Sequence, residues 1–332
     1  MHIRDRRKIK DFAAGRLENA RDLPKIILIY SALVLGLSAL GTVVNYLLGL
    51  QMENLTGLAS FSKRTMLSSI QSMMPLAVSL VTMCLETGFL AVMLRIARGQ
   101  YASEQTLRLG FDRFWLLLRC SIFKAIRYTI ILFLSIYAGI MVYMMLPISK
   151  AAMDVLSPYL SQMSALSGEL VLDEAGYTQF AQAVWPAYVI CGIFFALAAV
   201  PLWYSYRMIP YVIIDKPGMG ALVVLRESKQ MMRKNRLSLL KLDISFWWYH
   251  GLIFLAQAVC YGDVILPMLG IPLPGNKDVW YFLFMAVYFA LLFAAYYFLR
   301  SRVEVSYALA YDAVRPEEPN ESGVVLGNIF QM

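Results

Sequence analysis

The chain has 332 residues, 59% of them hydrophobic and 16% charged, against roughly 25% charged in an ordinary soluble domain. That surplus of apolar side chains excludes a soluble enzyme, a disordered protein and a disulfide-stapled secreted domain, and it calls for lipid as a second solvent. The net charge of +8 would suggest nucleic acid in a soluble protein. In a membrane chain it reads instead as the positive charge that sets topology.

In chain order, residues 1–25 are basic. Within them Ile9, Phe12, Ala13, Leu17 and Ala20 recur at helical spacing. Apolar stretches long enough to cross a bilayer core, which takes about 20 helical residues, follow near 26–50, 73–94, 122–146, 185–206, 238–260 and 279–299. The first is long and follows a basic stretch, and no A-x-A site ends it, so it is not expected to be a cleaved signal peptide. Between the second and third spans, Leu107, Phe111, Phe114, Trp115 and Leu118 keep helical spacing. Between the fourth and fifth, Leu222, Leu225 and Met232 form an apolar side, and Arg226, Lys229, Arg233 and Arg236 form a cationic stripe opposite. Such helices are expected to lie in the membrane interface, basic groups near lipid phosphate. The third loop, about 147–184, is the longest and acidic, and short surface helices are expected there. The tail from Pro316 (PEEPNESG) reads as disordered.

Segment by segment from the N-terminus, the loops and tails hold 8, 2, 7, 1, 8, 1 and 3 Lys or Arg, so alternate compartments receive 26 and 4. This predicts a cytoplasmic-membrane protein with an even number of spans and both termini inside. Trp185, Trp280 and Tyr281 at one level and Trp203, Tyr204 and Tyr206 at the other agree with interfacial aromatic belts. The expected fold is all-α: a polytopic membrane helical bundle of about six transmembrane helices. Amphipathic interfacial helices precede spans 1, 3 and 5, which suggests a threefold internal repeat of interfacial helix, span, outer loop and span. One integral membrane domain is expected over 1–315, with 316–332 as a cytoplasmic tail.

The stretch 221–248, ALVVLRESKQMMRKNRLSLLKLDISFWW, places Ser228, Met231, Met232, Lys234 and Asn235 before the Leu-rich run 239–242. This pattern resembles a bacterial integral membrane family catalogued as domain of unknown function 975. Residues 8–30 and 107–123 are similar to it as well, and the resemblance covers most of 8–312. It implies a multi-span helical bundle and no activity, so no catalytic or binding residue is carried over from it.

The chemistry-bearing residues are few. Glu86 sits mid-span with Thr82 and Thr87 nearby. It reads either as a proton or cation relay or as a carboxyl that glues neighbouring helices. His250 and Asp243 fall on nearly one face of span 5 and read as a titratable polar track or as satisfied groups in an aromatic patch. Glu86, Asp243 and His250 are therefore the candidate intramembrane polar site. Arg226, Lys229, Arg233 and Arg236 are the candidate lipid-phosphate contacts. Arg302 with Glu304 and Asp312, and Arg207 with Asp215, could pair across repeats at the inner face, as a structural feature. Cys84, Cys120, Cys191 and Cys260 are scattered in or beside apolar runs and read as small buried hydrophobes. With only His2 and His250 beside them, no metal site and no cofactor are expected.

No GxSxG, Walker loop, HExxH or DxD is present, so an enzyme is not expected. The basic residues hug the span ends, which argues against a nucleic-acid partner. Two function classes remain. One is a non-enzymatic membrane binding or scaffold protein, whose basic interfacial helices contact anionic lipid headgroups or partner proteins. The other is a small-molecule, ion or lipid transporter using the polar site around Glu86 and His250.

Overall fold

The computed structural model describes residues 5–53, 61–147, 149–150, 153–154, 157, 174–268 and 274–315. The expected tail at 316–332 and most of the expected acidic loop lie outside them. The described chain is helical throughout: α1 (Arg6–Glu18), α2 (Leu23–Glu53), α3 (Phe61–Ala97), a 3-10 turn (Glu104–Arg108), α4 (Leu109–Asp112), α5 (Phe114–Met145) and α6 (Glu174–Tyr206). There follow α7 (Ile209–Asp215), α8 (Ala221–Met232), α9 (Arg236–Ile244), α10 (Trp247–Cys260), α11 (Gly262–Met268), α12 (Lys277–Ala294), a π-turn (Ala295–Arg300) and α13 (Ser301–Val314). Among the described residues five helices are long and apolar enough to cross a membrane: Leu23–Met52, Ser62–Ala97, Phe114–Met145, Val184–Asp215 and Asp278–Val314.

The fifth expected span, 238–260, is not one helix. It is broken between α9 and α10 at Ser245–Phe246, and a second break follows it at Tyr261. The Ser245 hydroxyl donates to the Leu242 carbonyl, a local bond that competes with the helical ladder. Lys10 Nζ then donates to the Ser245 carbonyl at 2.8 Å and stands 4.4 Å from the centre of the Phe246 ring. A cation at the C-terminal end of a helix satisfies carbonyls that have no partner within it and complements the helix dipole. α10, with 14 residues, rises roughly 21 Å at 1.5 Å per residue before α11 follows.

Packing separates two compact units, Met1–Cys120 with Arg207–Met332, and Ser121–Tyr206. In the first unit α2 and α3 form an antiparallel pair. Tyr30 stacks on Phe89 with ring centres 4.2 Å apart, and Gln71 donates to the Asn45 carbonyl further along. α10–α11 runs antiparallel to α12, shown by Ala256 against Leu292 and by Gly262 against Phe284. Leu35, Ala256 and Leu292 form one buried cluster between α2, α10 and α12. In the second unit Gly139 lets α5 approach Cys191 of α6, where an added Cβ would sit 2.5 Å from the Cys191 sulfur. Arg127 donates to the Tyr206 hydroxyl there.

The segments before spans 1, 3 and 5 differ from the expected trio of interfacial helices. α1 buries Ile9 and Ala13 and leaves Phe12 exposed. The second segment is a 3-10 turn and one turn of helix, with Phe114 and Trp115 already in the next span. Its geometry follows from a close crossing: a Cβ on Gly88 would lie 2.0 Å from the Leu107 carbonyl oxygen, and one on Gly110 would lie 1.9 Å from the Cys84 carbonyl oxygen. Backbone meets backbone there, and only glycine fits. In the third segment the apolar side of α8 faces protein. Val224, Leu225, Ser228 and Met232 are fully buried, while Leu222 is exposed on the cationic side. One relation recurs in all three. α4 and its 3-10 turn pack on α3, α8 packs on α7, and α1 packs on α13.

Candidate functional site

α3, α7 and the π-turn with α13 carry ionisable residues that meet in two layers, one at the C-terminal ends of the three helices and one deeper along α3 and α13. α3 ends in a Schellman arrangement: Gly99, at φ 71°, donates to the Ile96 carbonyl, and Gln100 donates to that of Arg95. A left-handed residue at this position is usually glycine. The arrangement makes Arg98 the capping residue and aims it across the helix end.

Arg98 forms the outer layer. Its guanidinium donates to Asp215 at 2.8 Å and to Asp312 at 2.7 Å. Asp215 also receives Arg315 at 2.7 Å and the Tyr311 hydroxyl at 3.0 Å. Burial disfavours the Arg98 cation, but its bonds to Asp312 and Asp215 outweigh that, and its pKa lies above the ordinary arginine value.

Arg300 forms the deeper layer. Its guanidinium lies among the rings of Tyr30, Phe89 and Tyr296, at 5.1, 5.6 and 4.6 Å from their centres. Nη2 donates to Glu86 at 3.3 Å, and Nε stands 3.7 Å from Glu304. Glu304 has Arg300 and Arg207 as its main cationic neighbours. Arg207 lies 4.7 Å over the Tyr307 ring and has Asp243 among its electrostatic partners. The Tyr307 hydroxyl donates to Asp243. The Arg300–Glu86 and Arg98–Asp312 pairs are each separated by 214 residues. That constant offset marks two parallel helices in register, with the layers about 18 Å apart at 1.5 Å per residue.

Of the candidate polar site, Glu86 and Asp243 join this one cluster through Arg300, Glu304 and Arg207. His250 does not: it is exposed on α10, beside the Tyr249 ring. Of the expected inner-face pairs, Asp215 and Asp312 do meet across helices, but through Arg98. Arg302 is exposed, and Arg300 is the buried partner. Arg98 and Arg300 are the residues that sequence reasoning missed. Arg300 is visible as an i, i+4 partner of Glu304; Arg98 offers no local signal.

Of the candidate lipid contacts, Arg226 and Lys229 are exposed on α8, and Arg233, its exposed C-cap, continues their stripe. Arg236 opens α9, half-buried, with its Nε lacking a hydrogen-bond partner. The four cysteines are free thiols.

The described residues are all helical, several of the helices are able to cross a membrane, and two ion layers tie helices within the first unit; this defines a polytopic helical bundle. The chain belongs to the family described as Protein of unknown function (DUF975), which it matches over residues 4–317. No curated protein and no solved structure matches it.

Proposed function

We propose that this is a multi-pass protein of the cytoplasmic membrane, with both termini inside, that acts as a non-enzymatic scaffold and binds anionic lipid headgroups through α8. The observation that carries the reading is the posture of α8. One side is buried in the protein, so the helix is held in place, and Arg226, Lys229 and Arg233 are presented outward beside exposed Leu222. A fixed cationic stripe with an apolar neighbour suits the headgroup region, where each Lys or Arg near an anionic leaflet contributes about 1 kcal/mol. Three together amount to about 3 kcal/mol, or on the order of a hundredfold in affinity.

The test is thermal unfolding of the detergent-purified protein, titrated with phosphatidylglycerol or with phosphatidylcholine. The anionic lipid is expected to stabilise more, and changing Arg226, Lys229 and Arg233 together to Gln is expected to erase the difference. Equal stabilisation of the native protein by both lipids would refute the reading.

A second reading, an ion or small-molecule transporter, is favoured by one observation. The Glu86 side chain is 45% exposed although its partner Arg300 is buried, so one edge of the charged cluster is open. Loss of a deletion phenotype's rescue by Glu86→Gln, with the protein still folded, would favour it.

A further inference from the structure

We propose that a cavity where α2 begins and α3 ends binds one anionic phospholipid by its headgroup, with the phosphodiester held by Arg16 and Arg21. The inference goes beyond the reading of α8 and shares no residue with it.

The two apolar helices set the level. α2 begins at Leu23 and α3 ends at Ala97, so the links 19–22 and 98–103 lie side by side just outside both. Between them is a cavity of about 330 Å³. Ligand sites run from about 300 to 1,000 Å³, so this one takes a headgroup and leaves acyl chains outside. Its apolar lining, Leu23, Ile26 and Ile96, is buried, and its polar lining, Arg21, Asp22, Gln100 and Tyr101, is exposed. That gradient suits a glycerol backbone below a phosphate. The walls are held before any ligand arrives. The Tyr101 hydroxyl donates to Asp22 at 2.9 Å, and Lys25 Nζ reaches Glu104 at 2.5 Å. Both bonds join residues 79 apart, so the two links are in register. A preformed site loses little to ordering on binding.

The guanidiniums identify the ligand as an anion. Arg16, in the last turn of α1, stands 4.8 Å from the centre of the Phe12 ring. It also packs against Gly99, where a Cβ would lie 2.2 Å from its Nη1. A ring and a glycine backbone thus order a side chain that is otherwise costly to immobilise. Gly99 lines the cavity, so Arg16 is fixed at its edge, and Arg21 lines it directly. Planar guanidiniums offer paired N–H donors that match phosphate oxygens. Asp22 is turned to Tyr101, whose hydroxyl it accepts. Two observations favour a lipid as the source of the phosphate. The Tyr101 ring is 76% exposed at the end of two apolar helices, where interfacial aromatics sit. Further along α2, Leu28 and Leu33 are exposed and give acyl chains an apolar flank. A choline head would bring a cation beside Arg16 and Arg21, so the head is anionic.

The experiment uses the full-length protein in phosphatidylcholine nanodiscs doped with a phosphatidylglycerol that carries a photoreactive diazirine in its headgroup. On illumination the native protein is expected to be labelled in peptides spanning 19–26 and 96–102, which line the cavity. Unlabelled phosphatidylglycerol is expected to compete, and glycerol 3-phosphate and inorganic phosphate, soluble sources of the same group, are expected not to. Arg16→Gln and Arg21→Gln are each expected to weaken this labelling about tenfold, as for one lost charge-assisted hydrogen bond. Changing Arg226, Lys229 and Arg233 together to Gln is expected to leave it unchanged. Labelling of the native protein only outside these peptides overturns the proposal, and labelling confined to 221–236 does so while leaving the reading of α8 in place. Competition by the soluble phosphates overturns it too, as does labelling that survives both arginine substitutions. The map on the native protein needs no substitution, so it decides the matter even where a variant does not fold.

Discussion

Replacing Gly88 with Ala is the sharpest test of how α3 meets the segment before the third span. In an open helix Gly→Ala is stabilising by up to about 1 kcal/mol. Here the new Cβ would lie 2.0 Å from the Leu107 carbonyl oxygen and 2.7 Å from its carbon. Both are backbone atoms, so no rotamer change relieves the overlap, and the two elements must separate by roughly an ångström. Overpacking of this kind costs about 1–3 kcal/mol, enough to reverse the sign set by propensity. Gly110→Ala should act alike, with its Cβ 1.9 Å from the Cys84 carbonyl oxygen and 3.1 Å from the Gly88 nitrogen. Because both changes open the same crossing, the double variant should lose less than the sum of the two. The control is Gly36→Ala in α2, where nothing lies within 4 Å of the added carbon; it should be neutral or stabilising. Thermal unfolding in detergent measures stability, and maleimide labelling of buried Cys84 reports locally on the crossing. If Gly88→Ala unfolds with or above the native protein and Cys84 labels no faster, the contact is not tight and the reasoning fails.

Two further predictions concern charge. Arg98→Gln should destabilise more than Asp312→Asn, because it removes the guanidinium that Asp215 and Asp312 both bind, whereas Asp312→Asn leaves Arg98 paired with Asp215. The loss should be below the roughly 3–5 kcal/mol of a fully buried pair, since the Arg98 side chain is 25% exposed; thermal unfolding matching the native protein would contradict this. The 26-to-4 division of basic residues predicts that a reporter fused after residue 315 is active only in its cytoplasmic form, and activity of a periplasmic reporter there would overturn the topology.

Helix and its lipid-compatible lengths were legible because composition and periodicity are local properties. The break at Ser245–Phe246 was not, since hydropathy runs on through it and the group that satisfies the freed carbonyl, Lys10, lies 235 residues away. The same holds for the cluster. Glu86 stands out in any reading of its span, but Arg300 looks like one more basic residue at a span end until α3 and α13 are laid side by side. For α8 the cationic stripe was legible and the destination of the apolar side was not. Amphipathicity states that one side leaves water, and only the packing on α7 shows that it enters protein. The glycine crossing left a residue type in the sequence, yet nothing near Gly88 or Gly110 distinguishes them from Gly36.

The docking of α1 on α13 has a consequence for biosynthesis. Residues 6–18 leave the ribosome long before residues 301–314 exist, so α1, although made early, is among the later helices to find its seat. Until residue 245 is made Lys10 cannot reach its carbonyl, until α13 is made α1 lacks the helix it packs on most, and a membrane surface is the nearest shelter. The same helix would then serve twice: on the nascent chain as a temporary anchor, and in the finished molecule as the clasp on α13.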